Sequence, residues 1–348
     1  MNKIDFTQVD IEKIITHQIG NKLRDEKYSL SNEESNLKPD TKNYLLKYFF
    51  SLLKTEELYR FTHAVNIEMN EVFTVTRDIF SDSDSFISNS QNIAKLLYEQ
   101  SMHPKIKEGQ LNIALFSNIL IEDELVNVLG IFKSETSSPF IQMRKQKSNY
   151  NIIHETGFDL KSMDKGCLIF NTDIENGYKI LIIDNSSKSN EAQYWKDDFL
   201  NVSVLKNEYH QTNEFLGITK QFVTKQLDED FEVSKADKID FLNRSVDYFK
   251  NHEAFDKKEF EEQVFGDSNV IESFRKFDQT YRQENEVELA DKFEISAQAV
   301  KKQARVFKSV LKLDKNFHIY IHGNREMIEQ GIDENGRKYY KIYYEEEN

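Results

Sequence analysis

Basic side chains recur at helical spacing near the C-terminal end of the sequence. Lys301, Arg305, Lys308 and Lys312 follow one another at intervals of four, three and four residues, which places them in one row along an α-helix. Lys302 flanks this row. A row of cations on one helix face is a typical surface for contacting nucleic-acid phosphates. An ordinary solvated helix face is the alternative interpretation.

An apolar stripe beside these cations predicts the element that carries them. Val300, Ala304, Phe307 and Leu311 repeat the same spacing, rotated by one residue from the basic row. This pattern predicts an amphipathic helix from about Ala297 to about Leu313, with one face buried and the neighbouring face basic.

The segment before this helix resembles a helix-turn-helix over residues 288–307. Leu289 would lie on a first helix, Ser296 would cap the second, and Val300 would pack back against the first. Glu294 stands where this motif usually has glycine, and the turn favours a positive φ that glycine adopts most easily. A simple pair of packed helices with the same apolar spacing therefore remains an alternative.

A second basic cluster consists of Arg144, Lys145 and Lys147. The surrounding pattern predicts that these residues lie in a loop between two strands. A long basic loop at a hairpin tip can reach a phosphate backbone, and an ordinary solvated loop is the alternative.

The overall charge restricts where nucleic acid could bind. The chain of 348 residues has 46 basic and 60 acidic residues, a net charge of -14. Such a chain repels phosphates at long range, so a nucleic-acid site must be a local basic patch. Residues 226–294 carry 20 acidic and 10 basic residues, whereas residues 295–348 carry 8 acidic and 10 basic residues. The acidic helices could instead dock a protein partner.

The periodicity indicates an α+β protein with two domains, residues 1–225 and residues 226–348. The first 100 residues mostly have helical periodicity. Short apolar runs at 111–116, 125–133, 166–170 and 178–184 then predict an antiparallel sheet with flanking helices. The second domain is predicted to be helical over residues 235–250, 256–265 and 268–283 and then helix-turn-helix-like, and to end in short hairpin strands from residue 317 onward.

Several segments in a consistent order resemble the NdpA-like family of bacterial nucleoid-associated proteins. The segments are IITHQIGN (14–21), LLYEQSMHPKIKEGQL (96–111), LGIFKSE (129–135), GFDLKSMDKGCLIF (157–170), ILIIDNSSKSNEAQYWKDDFLNV (180–202) and YHQTNEF (209–215). AQYWKDDFL is the most distinctive part. The resemblance implies a bacterial cytoplasmic protein of the nucleoid with a DNA-binding role, and it implies no catalytic residues.

We therefore expect a non-enzymatic protein that binds double-stranded DNA with weak or no sequence specificity, with no cofactor, no metal and no membrane partner. The predicted phosphate contacts are Lys301, Lys302, Arg305, Lys308, Lys312, Arg144, Lys145 and Lys147. Homodimerisation stays open. One alternative is an adaptor that reaches the nucleoid through another nucleoid protein bound to its acidic helices. Another is a metal-dependent nuclease that uses Asp184, which follows an apolar strand. Cys167 lies in an apolar run and is expected to be buried rather than nucleophilic.

Overall fold

A computed structural model describes most of the chain. The described residues are 4–50, 57–122, 124–184, 194–305, 307, 310–313, 317–320, 327–344 and 346, with only the backbone described at 310–312. The chain divides into two compact units, one ending at Leu205 and the other beginning at Lys206, so this boundary lies before the predicted one at residue 225. No helix in the described ranges is both long and apolar enough to cross a membrane.

The first unit combines a large sheet with helices. Its helices are α1 (Pro39–Phe50), α2 (Glu71–Ser81) and α3 (Phe86–Gln100), with a π-helical segment at Tyr194–Leu200. Its strands are β1 (Ile4–Asp5), β2 (Asp10–Ile19), β3 (Leu58–Phe61), β4 (Gly109–Ile121), β5 (Glu124–Ser134), β6 (Ser138–Gln146), β7 (Asn149–Gly157), β8 (Lys165–Phe170), β9 (Lys179–Asp184) and β10 (Val202–Val204).

Eight of these strands form one antiparallel sheet. The order is β1, β4, β5, β8, β9, β3 and β10, and β2 also pairs with β4. The long pairing of β4 with β5 extends from Gln110–Ser134 to Ile121–Glu124. Within the described ranges, the remaining two strands, β6 and β7, pair with each other and with no other strand.

Apolar residues cover both faces of this sheet, which explains why its strands have nearly continuous apolar sequences. On β5, Leu129 and Ile131 face the core that includes α2 and α3, whereas Val128 and Phe132 face the core that includes α1. This alternation follows the two-residue period of a strand. At Gly130, a Cβ atom would lie 2.4 Å from the ring of Phe132, so only glycine leaves space for that ring.

The second unit is mainly helical and ends in short strands. Its helices are α4 (Glu208–Gln221), α5 (Leu227–Asp230), α6 (Lys235–Asn251), α7 (Lys257–Val264), α8 (Ser268–Glu284) and α9 (Ala297–Ala304), with a π-helical segment at Phe222–Gln226. Its strands are β11 (Ala254–Asp256), β12 (Lys292–Glu294), β13 (Val310–Leu313), β14 (Phe317–Tyr320), β15 (Ile328–Ile332) and β16 (Lys338–Ile342). Phe215, Phe255, Phe260 and Phe274 are among the aromatic residues of its core.

The predicted α+β class is confirmed, and α1, α2 and α3 agree with the helical periodicity predicted for most of the first 100 residues. The ten-residue strand β2 in this region was not predicted. The predicted helix-turn-helix is wrong. In the predicted helix-turn-helix, residues 287–290 are irregular and 292–294 form β12, which pairs with β11. This pairing overrides the helical spacing of the apolar residues. Ser296 does cap α9 by accepting a hydrogen bond from the Ala299 N–H.

Candidate nucleic-acid interface

The strands β6 and β7 form a hairpin, called here the arm, that is exposed on both faces. Ser138 pairs with Gly157 at its base, and Gln146 pairs with Asn149 beside the turn. Between these pairs, all side chains are exposed except Gln142 and Ile153, which are half-buried. The loop predicted between two strands is therefore itself an ordered β-hairpin.

The three predicted cations of this region lie together at the tip of the arm. Arg144 and Lys145 are at the end of β6, and Lys147 is in the turn. Arg144 forms an ion pair of 2.7 Å with Glu155 of the facing strand. Within the described residues, Lys145 and Lys147 have no ion-pair partner, and both are exposed. The tip therefore presents two uncompensated charges and one compensated charge to solvent.

Lys147 occupies a backbone conformation that normally favours glycine. Its φ is +54° at the first position of the two-residue turn, where a lysine is strained and glycine is preferred. Strain of this kind is often retained where the side chain has a function. The strained backbone of Lys147 is thus a second feature of the tip, independent of its charge.

One face of the arm is apolar and exposed. Met143 faces Ile152 across the two strands, and Ile141 lies beside this pair. Each of these three side chains is about 70% exposed, at 69%, 70% and 70% respectively. Tyr150 pairs with Lys145 on the same face, so the apolar surface continues to the basic tip. An exposed apolar surface of this kind typically marks a binding site.

The basic helix α9 is shorter than predicted. It ends at Ala304, and Lys301 and Arg305 are exposed. Lys302 is also exposed at the residue level, but its Nζ donates a hydrogen bond of 3.1 Å to Tyr209 Oη and lies 5.5 Å from the centre of that ring. Lys302 is therefore partly engaged in joining α9 to α4.

The predicted row of four cations on one helix is wrong. The backbone of Lys312 belongs to β13 and pairs with His318 of β14, and Lys308 lies outside the described residues. The sequence misleads here because Leu311 and Leu313 alternate with Lys312 and thus also satisfy the period of a strand. Because this segment pairs with β14, it forms a strand rather than a continuation of the helix.

Carboxylates of the acidic helices are partly used inside the fold. Glu261 is buried and paired with Arg275 at 2.6 Å. Asp278 is buried between Lys257 at 2.5 Å and Arg282 at 2.7 Å. Buried and paired carboxylates cannot dock a partner, so an acidic docking surface would have to use exposed residues such as Glu259 and Glu262.

Sequence reasoning missed a buried ionic cluster in the sheet. Lys133 and Lys165 are paired across β5 and β8, and both contact Glu135, at 2.9 and 3.4 Å. Lys133 Nζ also donates to the Lys107 carbonyl at 2.8 Å, and burial lowers the pKa of Lys133. Lysines inside the apolar runs LGIFKSE and KGCLIF were the available signal. This closed cluster contributes to the fold, not to an exposed site.

The features considered for catalysis do not assemble in the described ranges. These ranges contain no group of three histidine, cysteine, aspartate or glutamate residues placed to hold a metal ion. Asp184 ends β9, and the residues that follow it to position 193 lie outside the described part. Cys167 is buried, as predicted, and burial raises the pKa of its thiol, which disfavours a reactive thiolate.

Comparison with known proteins identifies the family. The family model described as nucleoid-associated protein YejK matches residues 15–337, which is nearly the whole chain. No curated protein matches the sequence.

Proposed function

The chain belongs to the family of the nucleoid-associated protein YejK, and from this premise we propose that it binds duplex DNA directly through the tip of the arm. The single observation that carries this proposal is the exposed, strained and basic tip at Lys145 and Lys147. The contacts are to phosphates, so binding has weak or no sequence specificity.

The arm also reduces the repulsion between DNA phosphates and a chain with a net charge of -14. Nine residues of strand, at about 3.4 Å per residue, span about 30 Å. The Debye length at physiological salt is about 8 Å. Charges at the tip are therefore largely screened from acidic residues near the base of the arm. The arm itself has three basic residues and one acidic residue between Ser138 and Gly157, and its local charge of +2 attracts DNA.

Lys301 and Arg305 are proposed as a second phosphate contact, with Lys302 contributing only if it leaves Tyr209. Lys308 and Lys312 stay in the proposal as further basic residues, a few positions after Arg305 in the sequence. In this proposal the protein is not an enzyme, and it acts in the cytoplasm, at the nucleoid. Homodimerisation would increase its affinity, since two tips on one duplex act at high effective concentration.

The test is the affinity of purified protein for a fluorescent DNA duplex, measured by anisotropy. The variant carries Lys145→Gln and Lys147→Gly, which removes two charges and relieves the turn strain. If each cation neutralises one phosphate, affinity at about 0.15 M salt should fall roughly 30-fold. The control carries Lys250→Gln and Lys276→Gln, two exposed lysines, and has the same net charge.

The proposal would be supported if the control variant binds DNA as tightly as the wild type while the tip variant loses most of its affinity. Equal losses in both variants would indicate that only net charge matters and would contradict a site at the tip. Absence of DNA binding by the wild type at low salt would contradict direct binding. The adaptor alternative would then be tested by neutralising Glu259 and Glu262.

A further inference from the structure

The apolar face of the arm has no role in phosphate contact. Ile141, Met143 and Ile152 form it, and Tyr150 extends it to the tip. A hairpin of two strands is marginally stable in water without something packed against it. We therefore expect a binding partner to cover this face. The dimensions and charge of the arm distinguish between two candidate partners, a second copy of the chain and duplex DNA.

A second copy of the chain is the less suitable occupant. One face of the arm measures about 30 by 10 Å, or roughly 300 Å². Each partner in a stable protein interface contributes about 800 Å². Packing two arms face to face would also bring the basic residues of both arms close together. The one carboxylate of each arm, Glu155, is already paired with Arg144 and so would not balance these charges.

Duplex DNA fits both the dimensions and the charge. The two strands of the arm lie about 4.8 Å apart, and the DNA major groove, about 12 Å wide, admits a two-stranded ribbon. Lys145 lies on the apolar face itself, and Lys147 lies at the turn. A ribbon with an apolar face and cations at its end complements a groove with a partly apolar floor and phosphate walls.

We infer that the arm enters the major groove of DNA and places Ile141, Met143 and Ile152 against thymine methyl groups. This inference rests on the proposed function and adds the binding mode and a preference for A·T pairs. Thymine is the base that presents a methyl group in the major groove. The preference stays modest because apolar contact with a methyl group involves no paired hydrogen bonds.

The experiment compares two A·T duplexes of equal length, one with thymine and one with deoxyuridine in its place. The duplexes carry the same phosphates and differ by the methyl group alone. For each methyl group covered, wild-type affinity should fall about fourfold on replacement by uracil. The variant I141Q/M143Q/I152Q should bind both duplexes equally and keep its salt dependence. Its substitutions are at exposed positions, so the fold should be retained.

Equal wild-type affinity for the two duplexes would overturn the inference while leaving direct DNA binding intact. Failure to bind either duplex would instead contradict the proposed function. Sedimentation provides the test of the other occupant. A wild-type dimer that becomes monomeric in I141Q/M143Q/I152Q would show that a second copy covers the face, and this too would overturn the inference.

Discussion

His17 illustrates how strongly a buried polar residue of the sheet depends on its protonation state. Its Nδ1 accepts a hydrogen bond from the Ser31 N–H at 3.1 Å, and its Nε2 lies 3.1 Å from Ser90 Oγ. Ser90 Oγ already donates to the Ile87 carbonyl, so it accepts from Nε2. The folded protein therefore requires the neutral ring, and burial lowers the pKa of His17 from 6.5 to about 4.

We predict that acidification destabilises the protein through this residue. The unfolded chain binds a proton at His17 below about pH 6.5, whereas the folded protein binds one only near pH 4. Stability is therefore lost as the pH falls through this window, by about 2 kcal/mol between about pH 7 and pH 5. Urea unfolding of the wild type and of His17→Gln across this range measures the difference. Parallel pH profiles for the two proteins would contradict the assignment.

Prediction from sequence located residues well where the signal is local. The position of Lys145 and Lys147 between two strands was predicted because a basic cluster between strand signals is visible in the sequence, whereas their binding of phosphate stays a prediction. Lys133 was not identified, because a lysine in a strand reads as exposed until its partner strand is known. Its burial depends on the pairing of β5 with β8, which places Lys133 opposite Lys165, 32 residues away in the sequence, and that pairing is a property of the fold.

The arm is the element that carries the proposed DNA contacts. Its strands pair with each other and with no other strand of the described chain, so the core of the first unit does not require them. Ser138 and Gly157 face each other at its base, at the separation that a two-residue turn connects.

Replacement of residues 139–156 by Asn-Gly should therefore leave the protein folded. We expect the free energy of unfolding to stay within about 0.5 kcal/mol of the wild-type value, because exposed residues contribute little. Chemical denaturation followed by circular dichroism provides the measurement. A loss of several kcal/mol would mean that the arm is part of the core, and its use as a separable binding element would be rejected.

Element boundaries were predicted well where the apolar period was unambiguous. The predicted helices at 235–250, 256–265 and 268–283 correspond to α6, α7 and α8. The basic helix was predicted to be too long. Its apolar residues at intervals of three and four indicate a helix, but the segment Val310–Leu313 also has the alternating pattern of a strand and forms β13. Residues 292–294 form a strand for a similar reason, since pairing with β11 is not visible locally.

At the scale of the whole molecule, charge is distributed unevenly along an acidic chain. The acidic helices contribute -10 of the net charge of -14, and this value already includes Arg275, the partner of the buried Glu261. The sequence predicted this distribution and the family, because both are properties of the linear order of residues. It did not predict that one basic cluster lies on an exposed arm with an apolar face.

A salt series of DNA affinity, measured for the wild type and for the arm-replaced protein, tests whether the arm binds DNA. Each phosphate neutralised contributes about -0.9 to the slope of log K against log salt. The arm presents two uncompensated cations, Lys145 and Lys147, because Arg144 is paired with Glu155. Removal of the arm should therefore make the slope shallower by about 2 and weaken binding at low salt. Identical slopes for the two folded proteins would contradict the claim that the arm binds DNA.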